Sequence, residues 1–97
     1  MPPATVQSLL RRAVQCYPAL ARRRVIRTFT GVRAAVDDGL PIVGRLAGHA
    51  RAWVATGFEG DGICLSALIG RDVAAMVAGR AAAADLTALS PQRFGQT

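Results

Sequence analysis

The chain contains no lysine: its twelve basic residues are all arginine, and they outnumber six acids to give a formal net charge of +6 and a pI near 11.3. That balance is the electrostatic footprint of a nucleic-acid binder. An arginine-only basic set in a chain rich in Ala, Gly and Val reflects compositional bias equally well. Aromatics are scarce, at 5%, and few lie near Arg22, Arg23, Arg24 and Arg27, which counts against base stacking. Nucleic acid is therefore not the expected partner. His49 is the sole histidine and has no local partner, which excludes a motif-spaced catalytic dyad built on it. Cys16 and Cys64 lie far apart with no C-x-x-C or Cys/His spacing, which excludes the usual zinc patterns. They read as small core residues in a reducing compartment, and the expected location is cytoplasmic. No apolar run reaches about 18 residues, the length a membrane-spanning helix needs. Met1-Pro2-Pro3 leads into an Arg-bearing helix and not the apolar core of a secretory leader.

What is present is hydrocarbon. The 97 residues are 52% hydrophobic and 19% charged, with a mean hydropathy of +0.29. This is too apolar for a disordered chain. It is also apolar for a single small domain, which has little interior to hide it. Part of that surface is expected to face a partner, a cofactor or further protein.

Residues 5–17 read as a one-sided helix. Val6, Leu9, Leu10, Ala13, Val14 and Tyr17 fall on one stripe of a 3.6-residue period, with Thr5 as N-cap and Pro18 as stop. Residues 25–36 favour a strand, Asp37-Asp38-Gly39 a turn, and residues 40–44 a short returning strand that Pro41 confines to an edge. A short strand at 52–56 then feeds a glycine-rich turn. From about Asp61 to Ala78 runs a helix that is apolar nearly all round and expected to be buried, with Gly79 closing it. Residues 86–94 read as a surface tail. The fold class is α+β: an N-terminal helix, an antiparallel hairpin, then a short strand and a buried C-terminal helix.

Two features carry chemistry. Gly57, Gly60 and Gly62 let the main chain approach a ligand closely, and the helix start at 61–64 offers unpaired N–H donors with partial positive charge. The spacing G-x-x-G-x-G is not the dinucleotide fingerprint, and an ordinary strand-to-helix turn looks the same. Arg33, within an apolar run, suits fork-to-fork recognition of a carboxylate or simply points to solvent.

Taken together, these segments resemble a known family. Gly31-Val32-Arg33-Ala34-Ala35-Val36-Asp37-Asp38-Gly39-Leu40-Pro41-Ile42-Val43-Gly44 is similar to the "G-L-R-P-x-T-x-D-G-x-P-x-I-G" segment of the FAD-dependent amine and amino-acid oxidoreductases, the superfamily of D-amino-acid, glycine/sarcosine and opine oxidases. Residues 55–65 resemble its "A-T-G-H-E-G-x-G-I-x-L" segment, residues 67–79 its closing helix, and residues 89–94 its final "F-x-P-x-R-F".

The resemblance implies that Arg33 pairs with a substrate carboxylate. It implies that Gly57, Phe58, Glu59, Gly60, Asp61, Gly62, Ile63 and Cys64 approach the pyrimidine side of the flavin ring, with no catalytic side chain needed in this stretch. Phe58 stands in place of the pattern's His, Ala34 in place of its Pro, and Thr30 in place of a small residue, which bears on substrate identity. The resemblance also implies that residues 1–50 correspond to the C-terminal part of a substrate-domain region, and residues 51–97 to the element completing the FAD domain. The N-terminal dinucleotide-binding region would be supplied elsewhere, so FAD is expected only in the complete enzyme, with a small amine or amino acid as substrate. The alternatives are a non-catalytic interaction or assembly subunit and an Arg-rich nucleic-acid binder.

Overall fold

The computed structural model describes residues 1–95; Gln96 and Thr97, the end of the expected second region, lie outside them. Among the described residues there are two α-helices, short 3-10 helices and one two-stranded antiparallel sheet, an α+β composition. The chain divides into two compact units, Met1–Val32 and Arg33–Thr97.

The first unit holds helix α1 (Pro3–Cys16), followed by a 3-10 helix over Pro18–Arg22. The expected N-cap, Thr5, is not the cap. Pro2 occupies that position and Pro3 begins the helix, because proline's fixed φ and missing N–H suit the first helical residue. The amide of Thr5 donates to Pro2 O at 3.0 Å. The apolar stripe forms as expected but is left open: α1 has no buried residue, and Leu9 and Tyr17 are 54% and 62% exposed.

The expected strand at 25–36 is absent, since residues 24–36 have no regular structure and Ile26 and Val32 are fully exposed. β-Branched residues favour strands where a pleated, half-buried surface receives them, and none is provided here. The Asp37-Asp38-Gly39 turn does form. Gly39 N–H donates to Val36 O at 2.9 Å, and Leu40 N–H donates to Asp38 Oδ1 at 3.0 Å. It does not join two strands of a hairpin.

The sheet pairs β1 (Ile42–Arg45) with β2 (Trp53–Thr56), in the register Ile42↔Thr56 to Arg45↔Trp53. The expected strand at 40–44 is thus shifted past Pro41 and takes the 52–56 segment as its partner. Helix α2 (Gly62–Val77) and the 3-10 helices Thr87–Leu89 and Pro91–Phe94 pack against β1. This makes Val43 the most buried apolar side chain, at 1% exposure. Gly44 is where the tail crosses: a Cβ there would stand 3.0 Å from Pro91 Cδ. The segment expected as a surface tail is therefore a brace on the sheet.

Helix α2 ends as expected at Gly79, whose φ is +75°. Arg80 N–H donates to Ala75 O and Gly79 N–H to Met76 O, the paired bonds of a Schellman motif. Its burial is not as expected. Only Ile69 and Asp72 are buried, while Ile63 is 90% and Val77 58% exposed, because a two-stranded sheet covers one side of a helix and no more. Cys16 and Cys64 are likewise exposed and do not contribute to a core, each lying in a terminal turn of its helix. Two separate compact bodies of these sizes would together expose roughly 6300 Å²; this chain exposes 7998 Å². Much apolar surface is left uncovered.

Candidate functional site

Arg33 opens the second unit, and the glycine-rich turn meets it there. Glu59 N–H donates to Ala34 O at 2.9 Å, tying the turn to the residue after Arg33. In return, Arg33 Nη1 donates to Glu59 O at 3.4 Å. Glu59 is the one non-glycine residue with positive φ among the described residues, at +49°. Gly60 lies beside the guanidinium: a Cβ there would stand 3.4 Å from Arg33 Nη1, at ordinary contact distance.

Gly57 fixes the base of the turn. Its φ is +79°, and an added Cβ would collide with Val36 Cγ2. The 34–36 segment and the turn are therefore in van der Waals contact. Asp61 N–H donates to Phe58 O at 2.8 Å and closes the turn, and the half-buried Phe58 packs on Gly62. Ile63 and Cys64, in the first turn of α2, are exposed.

The donors of this site are under-used. Among the described residues, the N–H groups of Gly62, Ile63 and Cys64 have no acceptor, and Asp61 places no side-chain cap on them. Among the described residues Arg33 also forms no ion pair, and its Nε and Nη2 have no acceptor. One edge of a planar guanidinium is thus free beside a helix start carrying about half a positive charge. Such an arrangement can grip a carboxylate bidentately and hydrogen-bond an electron-rich ring edge. An open hollow of about 480 Å³ in the same unit, walled by Val43, Trp53, Met76 and Leu86, includes none of these residues.

Two polar ties carry no motif in the sequence. Asp72 is 1% exposed; its Oδ2 accepts Ala84 N–H and its Oδ1 accepts Arg71 Nε, both at 3.0 Å. The Ala84 amide, with the Arg71 guanidinium behind it, holds this carboxyl below the usual range against the opposing effect of burial. A lone acid in an apolar helix was the available signal. Arg93 clasps Asp38 with Nε to Oδ2 at 2.7 Å and Nη2 to Oδ1 at 3.1 Å, and also donates to Leu40 O. The Arg93 side chain, followed by the Leu40 amide, lowers the Asp38 carboxyl. This clasp joins the tail to the turn that follows Val36. Thr87 lowers Asp85 in the same way. No group of three or more metal-ligating side chains occurs among the described residues, nor is any helix long and apolar enough to cross a membrane.

Comparison with known proteins gives the family. Residues 1–76 match the family model described as FAD dependent oxidoreductase. The chain is 34% identical over 88 residues to a glycine oxidase of Geobacillus kaustophilus (strain HTA426), an alignment covering 91% of this chain and 23% of the relative. No solved structure matches. The chain belongs to the FAD dependent oxidoreductase family, and it spans about a quarter of the length of the curated relative it matches.

Proposed function

We propose that this chain supplies the substrate-carboxylate arginine and a flavin-facing turn to an FAD-dependent oxidoreductase that oxidises the C–N bond of a small amine or amino acid. The observation that carries the reading is the free guanidinium edge of Arg33, held by Glu59 O against Gly60 beside the unpaired amides of α2. The match to a family model covering residues 1–76 supports it, as does similarity to a protein named for oxidising glycine, a substrate with both carboxylate and amine.

The residues present suit the cofactor's ring. The amides of Gly62, Ile63 and Cys64 offer donors with no competing acceptor among the described residues. Bound FAD would supply the two-electron oxidation of the C–N bond. The chain's own residues do three things. Arg33 binds and orients the carboxylate through Nε and Nη2. Glu59 O holds the guanidinium in place through Nη1. The α2 start stabilises negative charge at the ring edge, on the order of 0.3–2 kcal/mol. Phe58 leaves that edge without an imidazole. The pyrophosphate cradle comes from polypeptide beyond these residues, so the 97-residue chain alone should hold FAD weakly.

The test combines this chain with a complementary part bearing the G-x-G-x-x-G fingerprint. Arg33→Ala should raise KM for carboxylate-bearing amines and lower kcat/KM by about 1.5–3 kcal/mol of charge-assisted binding. The same variant should leave amines without a carboxylate unaffected. An unchanged kcat/KM for both classes removes Arg33 from the site.

A further inference from the structure

The boundary between the two units is also a boundary of charge. Arg11, Arg12, Arg22, Arg23, Arg24 and Arg27 lie in Met1–Val32 with no Asp or Glu among them, whereas from Arg33 onward six arginines face six acids. The whole net charge of +6 thus belongs to the first unit. All six of those arginines are exposed, and none enters an ion pair among the described residues. The same unit contains an open hollow of about 280 Å³ with apolar walls including Leu10, Val14, Leu20 and Val25, and with Arg23 and Arg24 at its rim.

From this juxtaposition we infer that the first unit is a docking face for an acidic polypeptide, one that seats an apolar side chain in the hollow and sets carboxylates against Arg23 and Arg24. A hollow with apolar walls accepts a protruding side chain, and the arginines that line it set carboxylates on the same occupant. No aromatic side chain lines the hollow to stack on a base. A second copy of the chain is disfavoured because two faces of this charge repel. The inference rests on the proposed function only for the identity of the occupant, the polypeptide bearing the FAD-binding part.

The face can be probed on the full chain with a dye-labelled amphipathic peptide of leucine and glutamate, using fluorescence anisotropy. The expected result is saturable binding that weakens at least about tenfold between roughly 50 and 300 mM salt. The charge reversal R23E/R24E should weaken binding about tenfold or more, R23K/R24K should retain it, and Leu20→Gln should reduce it without changing the far-UV circular dichroism. Equal affinity of R23E/R24E for the peptide overturns the inference. So does tighter binding to phosphatidylserine vesicles or to duplex DNA, either of which gives the face a different partner. Flavin enters none of these arms, so failure here leaves the role of Arg33 standing, and failure of the Arg33 test leaves this face standing.

Discussion

From Arg33 onward the chain is tied by directed polar contacts: Asp72 to Ala84, Arg93 to Asp38 and Leu40, and Arg33 to Glu59. Among the described residues, Met1–Val32 has no side-chain hydrogen bond, no ion pair and no buried residue. The two units have the same number of arginines. What differs is the acids, which occur only in the second and, among the described residues, pair with two of its arginines, Arg71 and Arg93. An arginine with an acid in its own unit can become an internal tie, whereas arginines without one leave a face for another molecule.

The largest expected effect comes from the point where the site's two segments touch. Gly57→Ala requires an alanine at φ +79° and drives its methyl into Val36 Cγ2. The left-handed conformation and the overpacking together should cost on the order of 2–4 kcal/mol. Urea denaturation followed by Trp53 fluorescence reads the second unit directly. A loss under about 0.5 kcal/mol would mean that the turn and the 34–36 segment are not packed, and the contrast between tied and untied units would fail at its centre.

Asp72 gives the next effect. Its folded carboxyl is held below the usual range, so its contribution is fully present above the unfolded carboxylate value and is lost as pH falls through the lowered folded one. The second unit should weaken on acidification below about pH 4, and Asp38 and Asp85, shifted in the same direction, add to the slope. Asp72→Ala leaves the Ala84 amide without its acceptor and should lower the thermal midpoint by several degrees at neutral pH. The same variant should flatten the acid slope. A variant that retains the wild-type slope would assign the acid sensitivity to other carboxylates.

Legibility from sequence followed the range of the interactions involved. Helix α1 is legible from its 3.6-residue periodicity, α2 from an uninterrupted apolar run, and the Gly79 stop and the Asp37-Asp38-Gly39 turn from local chemistry, because each depends on a few neighbouring residues. The strand expected at 25–36 does not form, since its residues favour strand only where a partner ladder exists. The burial expected of α2 fails for the complementary reason: its composition suits an interior that these residues do not supply. Arg33 and the glycine-rich turn were each legible as motifs. Their contact was not, because it runs through two backbone carbonyls, Ala34 O and Glu59 O, which no side-chain pattern reports. The charge segregation was present in the sequence throughout, but it acquires meaning only once the unit boundary at Val32 is known.

The smallest effect sharpens the comparison from the other side. Leu9 lies on the apolar stripe of α1, the kind of position where truncation in a packed core costs about 2–5 kcal/mol. Here it is 54% exposed, in a helix with no buried residue. Leu9→Ala removes little buried area and substitutes a better helix former, so the stability of the isolated chain should change by less than about 0.5 kcal/mol, and helicity by far-UV circular dichroism should hold or rise. A loss of about 2 kcal/mol or more would mean that the stripe is already covered within this chain. The first unit would then be a second core and not an open face, and the distinction between the two units would reduce to one of charge.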